Sequence, residues 1–142
     1  MNPSKTAVYQ LLEAYRIAVY AKDVDAFAAL YADDVRVFDL WGMWVYEGRE
    51  AWRGTAAEWF ASLGDERVAV SWDDVRITAA ADIATMSAFV TYQGLSATGE
   101  ALRAMQNRIT QVLERRGDAW QIVHEHSSAP ADFETARVML KR

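Results

Sequence analysis

The feature that most constrains the fold of this chain is a change in the spacing of its apolar residues. Up to about residue 63, apart from one short alternating stretch, apolar side chains recur at helical spacing, and beyond it they alternate as in strands. Helices first and strands afterwards favour an α+β fold. Because 142 residues is the size of one domain, we expect a single domain over 1–142, with its core at about 5–130 and a C-terminal tail at 131–142.

Three helices are expected in the first half of the chain. The first has an apolar stripe at helical spacing, formed by Val8, Leu11, Leu12, Tyr15, Ala18 and Val19. A short second helix follows Asp23, and a third runs from about Arg49 to Leu63. Tyr15 therefore lies in the middle of a face that packs against the core.

The stretch "VRVFDLW" alternates and predicts a strand between the second and third helices. It places Asp39 on the same face as Val35 and Val37. An acid on an apolar strand face is costly unless it is paired or has a function. Asp39 is therefore a candidate for a functional residue, or else for a structural acid that caps a turn or pairs with Arg36 or Arg49.

The rest of the chain predicts long strands that follow one another. One spans about 68–77 with a bulge or kink at "DD", a second contains "IATMSAFVTYQG", and a final hairpin joins "MQNRITQVLE" to "WQIVHEHSS" through "RRGD". Alternation in the last strand places His124 and His126 on the face of Trp120 and turns Glu125 to the other face. The two histidines of the chain are thus expected to face the interior. In the preceding strand, either Arg108 or Asn107 faces them, because the strand parity is open there.

Charge and composition exclude several classes of partner. A net charge of -5 and a pI near 5.0 argue against nucleic acid, whose binding needs clustered Lys and Arg. No apolar run approaches the roughly 20 residues that cross a bilayer, and "MNPSKTAVYQ" lacks the apolar block of a signal peptide. The chain has no cysteine, which fits a reducing compartment. We therefore expect a cytoplasmic protein that binds neither membranes nor nucleic acid.

Two segments carry a resemblance to a known superfamily. "YADDVRVFDLWG" followed by "YEGREAW" resembles the ketosteroid isomerase and SnoaL-like branch of the nuclear transport factor two-like superfamily. "TQVLERRGDAWQIVHEHSSAP" is similar to the last hairpin of the association domain of calcium/calmodulin-dependent protein kinase type II. The resemblance covers about 5–130 and implies a cone-shaped α+β barrel, with three helices packed on a strongly curved mixed or antiparallel sheet that encloses one pocket.

The resemblance also implies roles for individual residues. Asp39 falls on the position of the isomerase's general base, and Tyr15 falls on that of its oxyanion-donating tyrosine. A desolvated carboxylate suits proton abstraction from carbon, and a buried phenol can donate to the enolate that forms. The acid that completes the isomerase's oxyanion site has no counterpart in "QNRITQV". His124 or His126 is the expected acid in its place.

A ligand site can be proposed from the aromatic and basic residues. Trp41, Trp44, Trp59 and Tyr92 are expected to hold an aromatic or alicyclic body, and Arg108 a carboxylate, enolate or phenolate. The expected partner is thus a small hydrophobic or anionic organic molecule. A purely structural role is the alternative for the aromatic residues, for Tyr15 and for both histidines. The His-x-His pair lacks a third ligand at any recognisable spacing, so we expect no metal and no other cofactor.

Two classes of function are consistent with these features. The first is a cofactor-independent isomerase, cyclase or dehydratase with Asp39 as base. The second is a non-catalytic ligand-binding or oligomeric association module. The outer sheet face is expected to be partly apolar, with members Gln111, Leu113, Gln121 and Val123. Such a face normally pairs with a copy of itself, which predicts a homodimer.

Overall fold

The computed structural model describes residues 2–142 and contains three helices and six strands in that range. The helices are α1 (Pro3–Ala21), α2 (Val24–Ala28) and α3 (Arg49–Ser62). Asn2 caps α1 by accepting a hydrogen bond from the Ser4 amide at 2.8 Å, and Asp23 caps α2 by accepting one from the Ala26 amide at 3.0 Å. The three expected helices are thus confirmed. No helix within residues 2–142 is both long and apolar enough to cross a membrane.

The strands form one mixed sheet in the order β2-β1-β6-β5-β4-β3. They are β1 (Tyr31–Phe38), β2 (Tyr46–Glu47), β3 (Arg67–Ala79), β4 (Ile83–Leu95), β5 (Ala101–Arg116) and β6 (Ala119–Ser128). Strands β1 and β6 run parallel, and the other neighbours are antiparallel. The α+β prediction is confirmed. The sheet is not closed and keeps two edges, β2 and β3.

An aromatic cluster joins the helices to the sheet. The ring centroid of Phe27 lies 5.2 Å from those of Tyr15 and Tyr31 and 5.8 Å from that of Phe60. All four side chains are buried. Each such aromatic pair contributes about 0.5–1.5 kcal/mol beyond the burial of its area. The cluster therefore holds all three helices over one face of the sheet.

The strand pairing has four register shifts, of which two bear on the sequence predictions. Between β3 and β4 the register shifts between Asp73 and Arg76, and Asp74 adopts a left-handed backbone with φ of 50°. The bulge predicted at "DD" is thus confirmed. Between β5 and β6, Leu113 pairs with Ile122 but Val112 pairs with His124. Val123 is therefore an extra residue in β6, and beyond it the side chains exchange faces.

The outer face of the sheet differs from the expected one. Gln111 and Leu113 were expected on this face, but both are completely buried on the inner side. Their pairing explains the difference, because Leu113 lies opposite the buried Ile122. Of the other two expected residues, Gln121 lies on the outer face, because it precedes the inward Ile122, and Val123 is the extra residue of the bulge. Val112 lies on the outer face as well, between Gln111 and Leu113.

The C-terminal tail contacts β5 beyond the point where β6 ends. Pairing between β5 and β6 ends at Arg108 and Ser128, which leaves the earlier part of β5 without β6 beside it. The tail returns there, and the Gln106 amide donates to the Leu140 carbonyl oxygen at 2.7 Å. The Arg142 guanidinium lies 3.9 Å from the centroid of the Phe89 ring. The tail thus packs against β5 and β4.

Candidate functional site

A cavity of about 570 Å³ lies between the helices and the inner face of the sheet. Its wall is formed by all three helices, by β3 to β6 and by the tail, and includes Tyr15, Phe27, Trp52, Trp59, Val68, Tyr92, Asn107, Glu125, Ser127 and Leu140. Asp39 and Trp41, which follow β1, complete it. A largely apolar cavity with a few convergent polar groups is the usual form of a small-molecule site.

Asp39 is held in a defined orientation at this wall. The Ser127 hydroxyl donates to Asp39 Oδ1 at 3.0 Å, and the Leu40 amide donates to Ser127 Oγ at 3.2 Å. Burial raises the pKa of the Asp39 carboxyl, while hydrogen bonds from Ser127 and from the amides of Leu40 and Trp41 oppose the rise. The structure thus brings Asp39 into the cavity as a positioned carboxyl with enhanced basicity.

Tyr15 and Tyr92 form a pair of hydroxyls in the same cavity. Their oxygens are 2.8 Å apart, on α1 and β4. Burial raises the pKa of both side chains, so both remain protonated at neutral pH. Because one hydroxyl must donate to the other, one proton of the pair remains available for a ligand. Trp59 lies beside them, with its ring centroid 5.9 Å from that of Tyr92.

Glu125 is a buried acid in the cavity wall. Regular alternation along the last strand had predicted it on the outer face of the sheet. The Tyr31 hydroxyl and the Gln111 amide both donate to Glu125 Oε1 at 2.8 Å. Burial raises the pKa of the Glu125 carboxyl to about 7, and the charge of Asp39 adds to the rise. A large fraction of Glu125 is therefore neutral near pH 7. No feature of "WQIVHEHSS" indicates this position, because the bulge that creates it lies in the pairing with β5.

The prediction that His124 and His126 face the cavity is wrong. The extra residue at Val123 exchanges the faces of β6, so that Glu125 and Ser127 point inward. His124 Nδ1 donates to the Arg36 carbonyl oxygen at 2.7 Å. The Phe38 ring centroid lies 5.0 Å from that of His124 and 5.4 Å from that of His126. Both imidazoles thus belong to an outer cluster with Arg36 and Phe38.

Arg108 also lies on the outer face. Of the two residues that the sequence left as candidates for the inner face of β5, Asn107 is therefore the one that faces the cavity. Arg108 Nε donates to the Ser128 hydroxyl oxygen at 2.9 Å. With Arg76 and His126 it lines a separate, more open depression of about 440 Å³. Asn107 is buried in the cavity wall, and its Oδ1 has no hydrogen-bond partner among residues 2–142. The cavity therefore offers an amide, and no arginine from this position, to a ligand.

The predicted aromatic residues divide into two groups. Trp41, Trp59 and Tyr92 line the cavity, as the sequence predicts. Trp44 is 97% exposed and does not reach it. The predicted strand "VRVFDLW" ends at Phe38, and residues 39–45 form a loop that brings Asp39 and Trp41 to the cavity and leaves Trp44 exposed. Within residues 2–142, no three His, Asp or Glu side chains are grouped as metal ligands.

Comparison with protein families gives one match that covers most of the chain. A family model described as the SnoaL-like domain matches residues 8–132. Comparison with functionally curated proteins finds no match.

Solved structures share the fold over nearly the whole chain. An NTF2-like protein of unknown function from Pseudomonas putida KT2440 is 25% identical, with a TM-score of 0.87, over 100% of this chain and 97% of that one. A Xanthomonas campestris protein, provisionally described as a calcium/calmodulin dependent protein kinase II association domain, is 22% identical with a TM-score of 0.74. Its match covers 87% of this chain and 85% of that one. The protein Aln2 from a Streptomyces species is 16% identical with a TM-score of 0.79, over 90% of this chain and 91% of that one.

Proposed function

Because the chain belongs to the SnoaL-like domain family, whose members bind small ligands, we propose that it binds a small cyclic organic molecule and moves a proton on it. The proposed activity is that of a cofactor-independent isomerase, cyclase or dehydratase. One observation carries it: Asp39 is oriented by Ser127 in the wall of a mainly apolar cavity that also contains the Tyr15–Tyr92 hydroxyl pair.

These groups support abstraction of a proton next to a carbonyl. Asp39 would take a proton from the α-carbon, and the electron pair of that C–H bond would move to the carbonyl oxygen to form an enolate. The free hydroxyl proton of the tyrosine pair would hydrogen-bond the developing negative charge. Asp39 would then return the proton to the same carbon or to a conjugated one, which balances the reaction without a cofactor.

Exchange of α-protons tests the base without knowledge of the natural substrate. The probe is 2-tetralone, a bicyclic ketone, and its deuterium incorporation in D₂O is followed by proton NMR. Asp39→Asn should lower the protein-catalysed rate by about 100-fold or more, as is typical when a general base is removed. Asp82→Asn changes a surface acid that pairs with Arg115 and should leave the rate unchanged.

Two results would count against this proposal. Equal exchange rates for the wild type and Asp39→Asn would rule out Asp39 as the base. Binding of 2-tetralone without any catalysed exchange would favour the non-catalytic alternative, a ligand-binding or association module. That alternative is supported by the fold that the chain shares with an association domain, provisionally so described.

We also propose that the chain acts as one domain and forms a cytoplasmic homodimer through the outer sheet face. The face has a half-buried apolar residue, Val112, between Thr85 of β4 and His124 of β6. Val112→Glu should convert a dimer to a monomer in analytical ultracentrifugation, while Glu58→Gln on α3 should not. A wild-type monomer at micromolar concentration would exclude the dimer.

A further inference from the structure

The cavity contains two acids and almost no positive charge. Asp39 and Glu125 both line it, whereas the histidines, Arg36 and Arg108 lie on the outer side of the sheet. Arg103 is the basic residue at the wall, and it is largely exposed and paired with Glu66 at 2.7 Å. An anionic ligand would therefore enter a cavity with a carboxylate in it and no free cation to compensate.

The hydrogen bonds of Glu125 determine which of its oxygens meets a ligand. Oε1 accepts from both Tyr31 and Gln111, so its lone pairs are occupied. Oε2 has no hydrogen-bond partner within residues 2–142, and Glu125 lines the cavity. When Glu125 is neutral, its proton is therefore best placed on Oε2, where it can be donated to a ligand.

Resting on the proposed function, we propose that the cavity selects an uncharged carbonyl compound over an organic anion, with Glu125 Oε2–H donating to a ligand oxygen. Asn107 supports the same selection from β5, because its amide is buried in the wall with Oδ1 unpartnered. Neutral polar groups of this kind recognise neutral polar groups of a ligand, whereas an anion requires charge. Glu125 touches the ligand in this arrangement and Tyr31 acts through Glu125 as a positioning residue.

The groups that face Glu125 make the selection dependent on pH. Tyr31 and Gln111 donate to it, the charge of Asp39 raises its pKa, and Tyr15 and Tyr92 share its cavity. Ionisation of Glu125 removes the donated proton and adds a second negative charge. Affinity for a ketone should therefore fall as pH rises through the titration of Glu125, by about tenfold per pH unit above it.

Two fluorescent probes with the same ring system test this selection. Prodan, 6-propionyl-2-dimethylaminonaphthalene, is an uncharged ketone, and 6-dimethylamino-2-naphthoate carries a carboxylate instead. Near pH 6 the wild type should bind prodan at least about tenfold more tightly than the naphthoate. Near pH 9 prodan binding should weaken by at least about tenfold. Glu125→Gln keeps a neutral donor and should remove the pH dependence, while Glu58→Gln, at an exposed site of α3, should keep it.

A measurement on the wild type alone covers the case in which Glu125→Gln does not fold. Carbon-13 NMR of labelled glutamate side chains should show one carboxyl that titrates near neutral pH, and prodan should raise its pKa because the neutral form binds. Equal or tighter binding of the naphthoate, or a prodan affinity that ignores the titration of that carboxyl, would overturn the selection. Failure of both probes to bind would overturn the ligand cavity itself, whereas failure of Asp39→Asn to slow exchange concerns the proposed base alone.

Discussion

The two faces of β6 carry opposite chemistry within four residues. On the inner face, Glu125 is buried and its Oε1 accepts two hydrogen bonds from neighbouring strands. On the outer face, His124 and His126 pack against Phe38 at the surface. Burial raises the pKa of the Glu125 carboxyl, and its hydrogen bonds fix its orientation. His126, by contrast, is exposed to solvent. Burial and hydrogen bonding, rather than residue type, thus decide which ionisable group can take part in chemistry.

Insertion of one alanine between Val112 and Leu113 of β5 should have the largest effect on this comparison. The added residue would give Val123 a partner and remove the bulge, and regular alternation would then turn the two histidines of β6 inward and Glu125 out. The cost should reach the whole stability of a typical domain, about 5–15 kcal/mol. We expect loss of the cooperative thermal transition in circular dichroism. Deletion of Val123 also removes the bulge, but it leaves the other pairs of the two strands and their faces in place, so it should cost much less; an insertion no worse than this deletion would contradict the role of the bulge.

The next largest effect is the difference in free energy of unfolding between two alanine variants, one on each face of β6. Glu125→Ala leaves the buried Tyr31 hydroxyl and Gln111 amide without an acceptor and creates a cavity. It should lower the free energy of unfolding by about 3–4 kcal/mol in urea titrations near pH 5.5. His126→Ala on the exposed face should change it by less than about 0.5 kcal/mol. Equal losses for the two variants would remove the distinction between the faces.

The free energy of unfolding should fall as pH rises, because the folded state favours the neutral form of Glu125. Its folded pKa of about 7 exceeds the ordinary 4.5, so the folded state binds the proton more tightly than the unfolded state. The resulting stabilisation is fully present below about pH 4.5 and is lost as pH rises through about 7. Relative to Glu125→Gln, the wild type should lose about 3 kcal/mol over this window. A constant difference between the two proteins would show that Glu125 is already ionised.

The smallest expected difference between the two faces of the sheet is in the coupling energy of their hydrogen-bonded side-chain pairs. A double-mutant cycle of Tyr15→Phe and Tyr92→Phe should give a coupling energy of about 1 kcal/mol, because their 2.8 Å contact is partly buried. The exposed Arg108–Ser128 contact at 2.9 Å should give less than about 0.5 kcal/mol. Denaturant titration of the wild type and the variants of each cycle measures both. A larger coupling on the outer face would reverse the comparison.

The sequence by itself determined the fold class, the three helices, the long strands and part of the cavity. Helical spacing identifies Tyr15 and Trp59, and alternation identifies Tyr92, because these patterns depend on local geometry alone. Asp39 was predicted from strand alternation but follows β1, so the loop rather than the pleat brings it to the cavity. The roles of Asp39 and Tyr15 remain proposals. Trp44 shows the limit of a local pattern, since it lies where the strand gives way to a loop.

Only the tertiary structure decided which face of β6 meets the cavity. A single extra residue in a strand reverses the alternation of the side chains that follow it. Val123 is that residue, because the register pairs Ile122 and His124 with neighbouring residues of β5. Register is a property of two strands and of the core that both must cover, so no pattern within "WQIVHEHSS" contains it. The same physical reason places Glu125 and Asn107 in the cavity and leaves His124, His126 and Arg108 outside.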